Sequence, residues 1–457
     1  MNRRIIGFLS GIAVFLIIYL IPVHGLSVAG HKCLALTLMT VVWWATRVAQ
    51  SGYVGGVFLM LLIILGVAKP AQVFSSWSGS TMWLVMGAYL IAGAVKDSGL
   101  GERISYSFII KYVHSWKEII VSVFVLTLIL ALLIPHPWPR AFLIMSVMVA
   151  VGKSANMPQE DIKKLGLAVF AASCPLSMLF LTGDTTLNPF AVADSGVNTD
   201  FLSWFKYMSV PMIIAAILTM LLILILFKPS QKVEINVEEL KEKKKSLGPL
   251  SMKEKRTTIW LFIAVVLWMT NGIYGINIGW VTLIVALLMS MPLIGEVLTP
   301  ESWSGVPVHV LVFLTSAMTI GTIGQITGMN KWIAMTVLPS SVPTNIYVLA
   351  LLITLFVIII HMFMGSVIAV MGVCIPPMIA FTSNLGISPL AISLMVFTAI
   401  NIHYILPFHN LAMLVGAEPD TGGYTQKEVI KLGIPLTVVV FIVVLIEAGW
   451  FQITGLI

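Results

Sequence analysis

The chain has 457 residues, of which 59% are hydrophobic and 10% are charged, and its formal net charge is +7 at pH 7. Average proteins carry about 25% charged residues, so this composition excludes a soluble globular protein and indicates a polytopic integral membrane protein. Positive charge in such a protein is first a topology signal, so no nucleic-acid partner is expected. Cys33, Cys174 and Cys374 show no CxxC spacing, which argues against a disulfide framework or a metal site.

Apolar runs predict the membrane spans of the first half. The N-terminal apolar run follows Arg3-Arg4 and lacks a persuasive small-residue cleavage site, so we interpret it as a first span rather than a signal peptide. Segment 100–117 mixes basic and aromatic residues and predicts an amphipathic helix on the cytoplasmic surface. Spans are predicted near residues 5–23, 32–50, 53–68 and 80–95, with a hairpin at 119–152, a span at 164–181, and a broken helix plus a full span at 190–227.

A polar linker, residues 228–256, separates the two halves and carries nine basic residues. Apolar runs then resume near 257–274, 277–294 and 306–325, followed by a short helix at 328–338, an interrupted region at 345–382, and spans at 388–404 and 430–451. The sequence therefore predicts an all-α membrane protein with about 11 transmembrane helices and two re-entrant helical hairpins.

The first hairpin is predicted from the segment Pro135-His136-Pro137-Trp138-Pro139-Arg140, which separates two apolar runs. Proline lacks an N–H and clashes with the preceding turn, so the segment predicts a non-helical tip between two short helices. Arg140 would cost about 2.5–3.5 kcal/mol at the centre of a lipid-facing helix, which favours a solvated tip that binds an anion. On this interpretation Arg140→Ala loses the anion and keeps the fold. The alternative is one helix kinked by prolines, with Arg140 at an interface.

Basic residues orient the chain. With the N-terminus and the linker in the cytoplasm, nearly all of the 26 Lys and Arg residues lie on the inner side, with Arg140 at the hairpin tip. The residues left on the outer side are Lys32, Lys69, Lys206 and Lys331. This asymmetry predicts an outer C-terminus, and the expected location is a bacterial inner or plasma membrane.

Sequence landmarks recur in the two halves. The tip at 135–140 corresponds to 361–366, an offset shared with the tryptophan motifs. The other pairs are Trp43-Trp44-Ala45-Thr46 with Trp268-Met269-Thr270, and Phe74-Ser75-Ser76-Trp77-Ser78-Gly79 with Pro300-Glu301-Ser302-Trp303-Ser304-Gly305. An odd number of passes in each half makes the copies face opposite ways. Inverted repeats with broken helices are typical of secondary transporters.

Each half also has a second break, at 181–189 and at 405–410. Unwound backbone with Thr and Asn side chains can coordinate Na⁺, and half-helix N-termini attract a carboxylate or a sulfate. Asp184 in the first break is either a cation ligand or proton carrier, or a turn cap. Nearby histidines can carry protons near neutral pH or can be hydrogen-bonded packing residues. These histidines are His136, His361, His403 and His409.

These features resemble the divalent anion:sodium symporter family, whose members carry dicarboxylates, citrate or sulfate. The likeness covers nearly the whole chain. It rests on the Trp-Trp-x-Thr motif at 43–46, the order of hairpin and broken helix in both halves, the breaks ending at Asn188 and Asn410, and the stretch 410–416. The resemblance implies a dimerising scaffold domain, a mobile transport domain and elevator-like movement of the substrate.

That division implies a first repeat at 1–227, with scaffold spans in 5–68 and a transport part in 80–227. The linker at 228–256 is a cytoplasmic connector. The second repeat is 257–457, with scaffold spans in 257–294 and a transport part in 306–457.

This chain departs from the family at the hairpin tips, which in the family carry Ser-Asn-Thr. Of these, only Ser366 matches; the first tip reads Trp138-Pro139-Arg140, and Arg47 stands where the family has an acidic residue. The predicted substrate-binding residues are Arg140, Pro139, Ser366, Gly365, Thr185, Thr186, Asn188, His409 and Asn410. The predicted cation ligands are Asp184, Thr182, Asn188, Ser366 and Asn410.

The predicted function is secondary active transport of small anions, with di- or tricarboxylates as the first candidates. Coupling to Na⁺, coupling to H⁺ and anion exchange all remain open, and no cofactor is expected beyond Na⁺ as a candidate coupling ion. The alternatives are an anion channel and a transporter of inorganic, sulfate-like oxyanions. An intramembrane enzyme is disfavoured because no His-Glu-x-x-His motif occurs. The expected partners are the anion, the lipid bilayer and a second copy of the chain.

Overall fold

The computed structural model describes residues 3–338, 341–364, 366–406, 409–418 and 421–457. All regular secondary structure in these ranges is helical. The helices of the first half are α1 (Arg3–Leu20), α2 (Val28–Thr46), α3 (Ser51–Ile64), α4 (Pro70–Val73), α5 (Ser80–Ser98), α6 (Leu100–Tyr112), α7 (Trp116–Leu133), α8 (Pro137–Ser154), α9 (Gln159–Ser177), α10 (Leu187–Ser195) and α11 (Phe201–Leu226).

The second half is also helical. Its helices are α12 (Val237–Ser246) in the linker, α13 (Met252–Met269), α14 (Asn271–Tyr274), α15 (Ile278–Leu288), α16 (Val308–Thr327), α17 (Met329–Val337), α18 (Ile346–Phe363), α19 (Val367–Thr382), α20 (Pro389–Asn401), α21 (Leu411–Gly416) and α22 (Gln426–Thr454). Within the described ranges, seven helices are long and apolar enough to cross a membrane, and four more are apolar but shorter. The predicted all-α membrane fold is confirmed.

The first hairpin has a shorter non-helical tip than the sequence predicts. Helix α7 ends at Leu133 and α8 already begins at Pro137, so Pro137, Pro139 and Arg140 belong to a helix. The difference arises because proline is tolerated in a first helical turn, where its missing N–H would have no intrahelical partner. The tip is therefore Ile134 to His136, and His136 caps α8 by accepting from Trp138 N at 3.3 Å.

The two halves are interlocked rather than side by side. Helix α16 of the second half packs along α3 and α2, and α5 of the first half packs along α15 and α13. Hydrogen bonds cross the same boundary, since Trp77 Nε1 donates to Thr315 Oγ1 at 2.9 Å and Thr319 Oγ1 donates to Val73 O at 2.8 Å. Each half therefore completes the packing of the other.

The polar linker is attached to the first half by Arg103 on α6. Its guanidinium donates to Glu254 Oε1 at 2.7 Å, to Gly248 O at 2.9 Å and to Leu247 O at 3.2 Å. The hydrogen bond from Arg103 lowers the pKa of the Glu254 carboxyl below its ordinary value. The linker thus has a defined position against α6 rather than being an unattached connector.

Candidate functional site

A cavity lies where the two hairpin tips meet the two helix breaks. The lining residues come from both halves and are Tyr89, His136, Pro137, Trp138, Ser173, Cys174, Ser177, Asp184, Thr186, Leu187, Val310, Phe313, Ser366, Val367, Ile368, Asn401, Asn410, Leu411 and Ala412.

Several helices begin at this cavity. The first residues of α8, α10 and α19 all line it, as does the start of the short helix α21. The first N–H groups of a helix have no intrahelical acceptor, and the helix dipole places partial positive charge there. The cavity is therefore surrounded by groups that attract an anion.

Arg140 lies behind the first hairpin tip and does not line the cavity. Its side chain is fully buried, Nη1 donates to Ile134 O at 3.1 Å and to Gly183 O at 3.2 Å, and Nη2 donates to Ser177 Oγ at 2.6 Å. The guanidinium therefore joins the end of α7, the first break and the end of α9. It places a permanent positive charge beside the cavity while Nη1 and Nη2 donate to the protein, and Nε has no acceptor among the described residues.

The first break is attached to the hairpin by two further side chains. Thr185 Oγ1 donates to Pro135 O at 2.8 Å, and Asn188 Nδ2 donates to Ser177 O and Phe180 O, both at 2.8 Å. Two buried oxygens, Thr182 Oγ1 and Asn188 Oδ1, have no hydrogen-bond donor among the described residues. Such oxygens remain available to a cation.

Asp184 caps the first break and also lines the cavity. Its Oδ1 accepts from Thr186 N at 2.9 Å and from Leu187 N at 3.0 Å, so the carboxylate occupies the N-terminus of α10. Asp184 and Arg140 attract each other electrostatically. The positive charge of Arg140 therefore compensates the negative charge that Asp184 places beside the helix N-termini. The geometry contains the turn cap that the sequence allows, and a cation-binding role stays a prediction.

In the second half, Ser366 and Asn410 cap the helices that begin at the cavity. Ser366 Oγ accepts from Ala369 N at 3.4 Å, and Asn410 Oδ1 accepts from Ala412 N at 3.0 Å. Asn410 Nδ2 reaches Asn401, whose own Nδ2 donates to Cys174 O of α9 at 2.9 Å. These amides connect the second break to the first half across the cavity.

Three imidazoles cluster behind the second hairpin tip. His361, on α18, has Nε2 at 3.0 Å from His409 O and Nδ1 at 3.3 Å from His403 Nδ1. All three side chains are buried. His409 Nδ1 in turn accepts from Ile405 N at 3.2 Å.

The predicted site residues thus fall into two groups. Asp184, Thr186, Ser366 and Asn410 line the cavity, whereas Arg140, Pro139, Thr182, Thr185, Asn188 and His409 lie outside its lining. Gly365 lies outside the described residues. Tyr89, Phe313 and Asn401 line the cavity and were not predicted, whereas Trp138, which also lines it, belongs to the predicted tip. Only Asn401 gave a signal, because its polar amide ends an apolar segment nine residues before Asn410.

The family model for the sodium:sulfate symporter transmembrane region matches residues 2–457. The chain belongs to this family. It is an integral membrane transporter of the divalent anion:sodium symporters, as its sequence resemblance implied, and not an enzyme. Its substrates are small anions, and its environment is the lipid bilayer.

Several relatives of this symporter-family chain have names that state a substrate, among them the following two. It is 28% identical to a putative malate transporter, YflS, of Bacillus subtilis, over 60% of each chain. It is 24% identical to the L-tartrate/succinate antiporter of Escherichia coli, over 87% of this chain and 82% of the relative. The solved YdaH transporter of Alcanivorax borkumensis has a similar fold, with a TM-score of 0.54, 15% identity and coverage of 87% and 89% of the two chains.

Proposed function

We propose that the protein carries small dicarboxylates or tricarboxylates across the membrane by secondary active transport. The observation that carries this proposal is the cavity at which both hairpin tips and both breaks meet, with three helix N-termini of at least two turns directed to it. Arg140 adds a permanent positive charge behind the first tip. The names of the malate and tartrate/succinate relatives support a dicarboxylate as the anion.

Elevator-type alternating access is part of the proposal. Its support is the family relationship together with a cavity that takes residues from the hairpins and breaks on one side and from α5 and α16 on the other. This grouping puts α5 and α16 with the scaffold spans, whereas the sequence-based division put them in the transport parts. Relative movement of the two sets of helices would open the cavity to one face of the membrane at a time.

The coupling ion is a separate part of the proposal. In favour of Na⁺, Thr182 Oγ1 and Asn188 Oδ1 are buried oxygens without a donor in the described ranges. Against Na⁺ at the first tip, the carbonyls of Ile134 and Gly183 already accept from the Arg140 guanidinium, so a second cation at these oxygens would be repelled. Exchange of one anion for another needs neither ion.

The test is uptake into liposomes that contain the purified protein, with succinate, malate, L-tartrate, citrate and sulfate supplied under separate Na⁺, H⁺ and counter-anion gradients. We expect saturable dicarboxylate uptake that is accelerated by internal dicarboxylate. Uptake that does not saturate would indicate an anion channel, and a preference for sulfate would indicate the oxyanion alternative.

Thr186→Val tests whether this cavity is the binding site. The substitution removes a hydroxyl from the lining and keeps the side-chain shape, so we expect succinate affinity to fall roughly tenfold to a hundredfold if Thr186 binds the carboxylate. Thr322→Val is the matched control, because Thr322 is an exposed threonine on α16. Equal affinities for the two variants would contradict the assignment.

A further inference from the structure

The tautomers of the histidine cluster follow from its hydrogen bonds. A carbonyl oxygen only accepts, so His361 Nε2 carries a hydrogen, and Nδ1 of a neutral His361 is a bare acceptor. His403 Nδ1 must then carry the hydrogen of the 3.3 Å bond between the two rings. His409 Nδ1 accepts from a backbone N–H, so it is also bare. Each of the three rings is thereby assigned one hydrogen.

This assignment leaves one basic nitrogen that the protein does not use. Nε2 of a neutral His403 is a bare lone pair, and among the described residues this buried nitrogen has no hydrogen-bond partner. A buried lone pair without a donor is an unfavourable arrangement. Binding a proton there would create an imidazolium whose Nδ1–H points at His361, so the added charge would be shared between two rings.

We infer that His361, His403 and His409 form a proton-binding site that loads one proton together with the carboxylate substrate. The inference rests on the proposed function and adds the coupling ion to it. The proton binds the Nε2 lone pair of His403, and no other bond forms or breaks. The site is behind the second hairpin tip, where Ser366 and Asn410 line the cavity. Protonation gives the second half a positive charge to match Arg140, so a dianion is held between two cations.

Other titratable groups lie on the elements packed around the cluster. Glu447 on α22 accepts from Thr398 Oγ1 at 2.8 Å, and Tyr424 Oη donates to Met413 O at 2.7 Å. Cys174 on α9, Cys374 on α19 and Tyr404 after α20 are also buried. Asp184 and Arg140 belong to the opposite side of the cavity. Glu447 and Asp194 on α10, which packs against α19 and α20, are the competing proton carriers, because each has a carboxylate oxygen without a partner among the described residues.

A metal ion is the other ligand that histidines commonly bind. No group of three or more His, Cys, Asp or Glu side chains suited to a metal occurs in the described part of the chain. The ring-to-ring and ring-to-backbone hydrogen bonds also use nitrogens that a metal would need. The geometry therefore favours a proton over a metal ion.

The experiment measures protons taken up when succinate binds to the purified full-length protein. Calorimetric titration in buffers of different ionisation enthalpy gives this number directly. We expect uptake approaching one proton per succinate as the pH is raised above the apparent pKa of the cluster. In that range affinity should fall about tenfold per pH unit. His403→Asn, which keeps a donor toward His361 and removes Nε2, should bind succinate without proton uptake.

Three controls complete the experiment. His114→Asn changes an exposed histidine, and Glu447→Gln and Asp194→Asn each neutralise a competing carboxyl; all three should keep the proton uptake of the wild type. Loss of uptake in Glu447→Gln or Asp194→Asn, or its persistence in folded His403→Asn, would overturn the inference. If His403→Asn does not fold, the wild type alone decides, since succinate binding without proton uptake at any pH overturns the inference and leaves the proposed function standing. Failure of every carboxylate to bind overturns both.

Discussion

At the residue scale, the guanidinium of Arg140 connects three parts of the protein. Its bonds to Ile134 O, Gly183 O and Ser177 Oγ all end on protein acceptors. The sequence suggested a direct grip on the anion, with the fold unaffected by its loss. The structure instead indicates that the buried guanidinium holds the hairpin tip to the first break. Its positive charge lies one residue behind the cavity lining, because Ser177 both accepts from Arg140 and lines the cavity.

We therefore expect Arg140→Ala to reduce stability as well as transport. Three buried acceptors lose their donor, which we expect to cost on the order of 3 kcal/mol. Arg140→Lys keeps the charge but replaces the planar fork by a single ammonium group, so its loss should be smaller. Thermal unfolding in detergent and succinate affinity per folded protein measure the two effects. If Arg140→Ala kept the thermal unfolding midpoint of the wild type but lost succinate affinity, the result would support direct binding of the anion by Arg140.

Asp184→Asn distinguishes the two roles considered for Asp184, a helix cap with a counter-charge to Arg140 and a ligand of a coupling cation. An asparagine keeps the Oδ1 acceptor for Thr186 N and Leu187 N, so the cap should survive. If Asp184 serves as a cap and as a counter-charge to Arg140, the variant should fold and bind succinate at least as tightly as the wild type. If Asp184 binds a coupling cation, transport should lose its dependence on that cation. Cation titrations of uptake for both proteins distinguish these outcomes.

At the element scale, the second break is held by the close approach of α22. A Cβ on Gly433 would lie 2.8 Å from Ile405 Cα and still closer to Tyr404 O, so only glycine allows this contact. Because backbone rather than a flexible side chain fills the space, Gly433→Ala should displace the break. We expect a loss of stability of about 1–3 kcal/mol and weaker succinate binding.

Gly93→Ala on α5 is the matched control for this prediction. Nothing lies within 4 Å of its added Cβ, so the substitution should stabilise the helix by about 0.5–1 kcal/mol. Midpoints of thermal unfolding for the two variants are the measurement. A Gly433→Ala midpoint at or above that of the wild type would show that the break tolerates displacement.

The elements were predictable from sequence to a larger extent than the site. Length and apolar periodicity located the spans, and Ser366 and Asn410 were recognisable as helix starts before apolar runs. The predicted non-helical tip at 135–140 is too long, because proline disrupts the interior of a helix but is tolerated in its first turn, where Pro137 and Pro139 lie.

The cavity lining was less predictable, for a physical reason. Tyr89 and Phe313 lie inside apolar helices, where nothing in the sequence distinguishes a lining side chain from a packed one. The sequence predicts Arg140 at a solvated tip, whereas its side chain is buried and its carbonyl partners are 6 and 43 residues away in sequence. Such partners become visible only when the hairpin and the break are brought together.

At the scale of the whole molecule, basic residues predict which face is cytoplasmic. We expect Ser246→Cys, in the exposed end of α12, to react with an impermeant maleimide only after the cells are permeabilised. Ser75→Cys, exposed near Lys69, should react in intact cells. The native cysteines are buried, so background labelling should be low. Labelling of Ser246→Cys from outside would reverse the topology.

We also propose that the protein is a homodimer paired through the spans in 5–68 and 257–294. Those helices expose large apolar side chains, including Tyr53, Ile64 and Ile284. Light scattering in mild detergent should give a protein mass about twice 49.9 kDa. A monomer that remains active after reconstitution would contradict this assembly.

The interlocking of the two halves has a consequence for how the protein is made. Helix α3 finds its partner α16 only after more than two hundred further residues have been synthesised. At about 5–20 residues per second, that interval is on the order of tens of seconds. During this time Trp77 Nε1 has no Thr315 to bond, and the surface of α5 that will meet α15 faces lipid or the translocon. The partly synthesised chain therefore exposes the surfaces of α3 and α5 that the complete protein buries between its two halves.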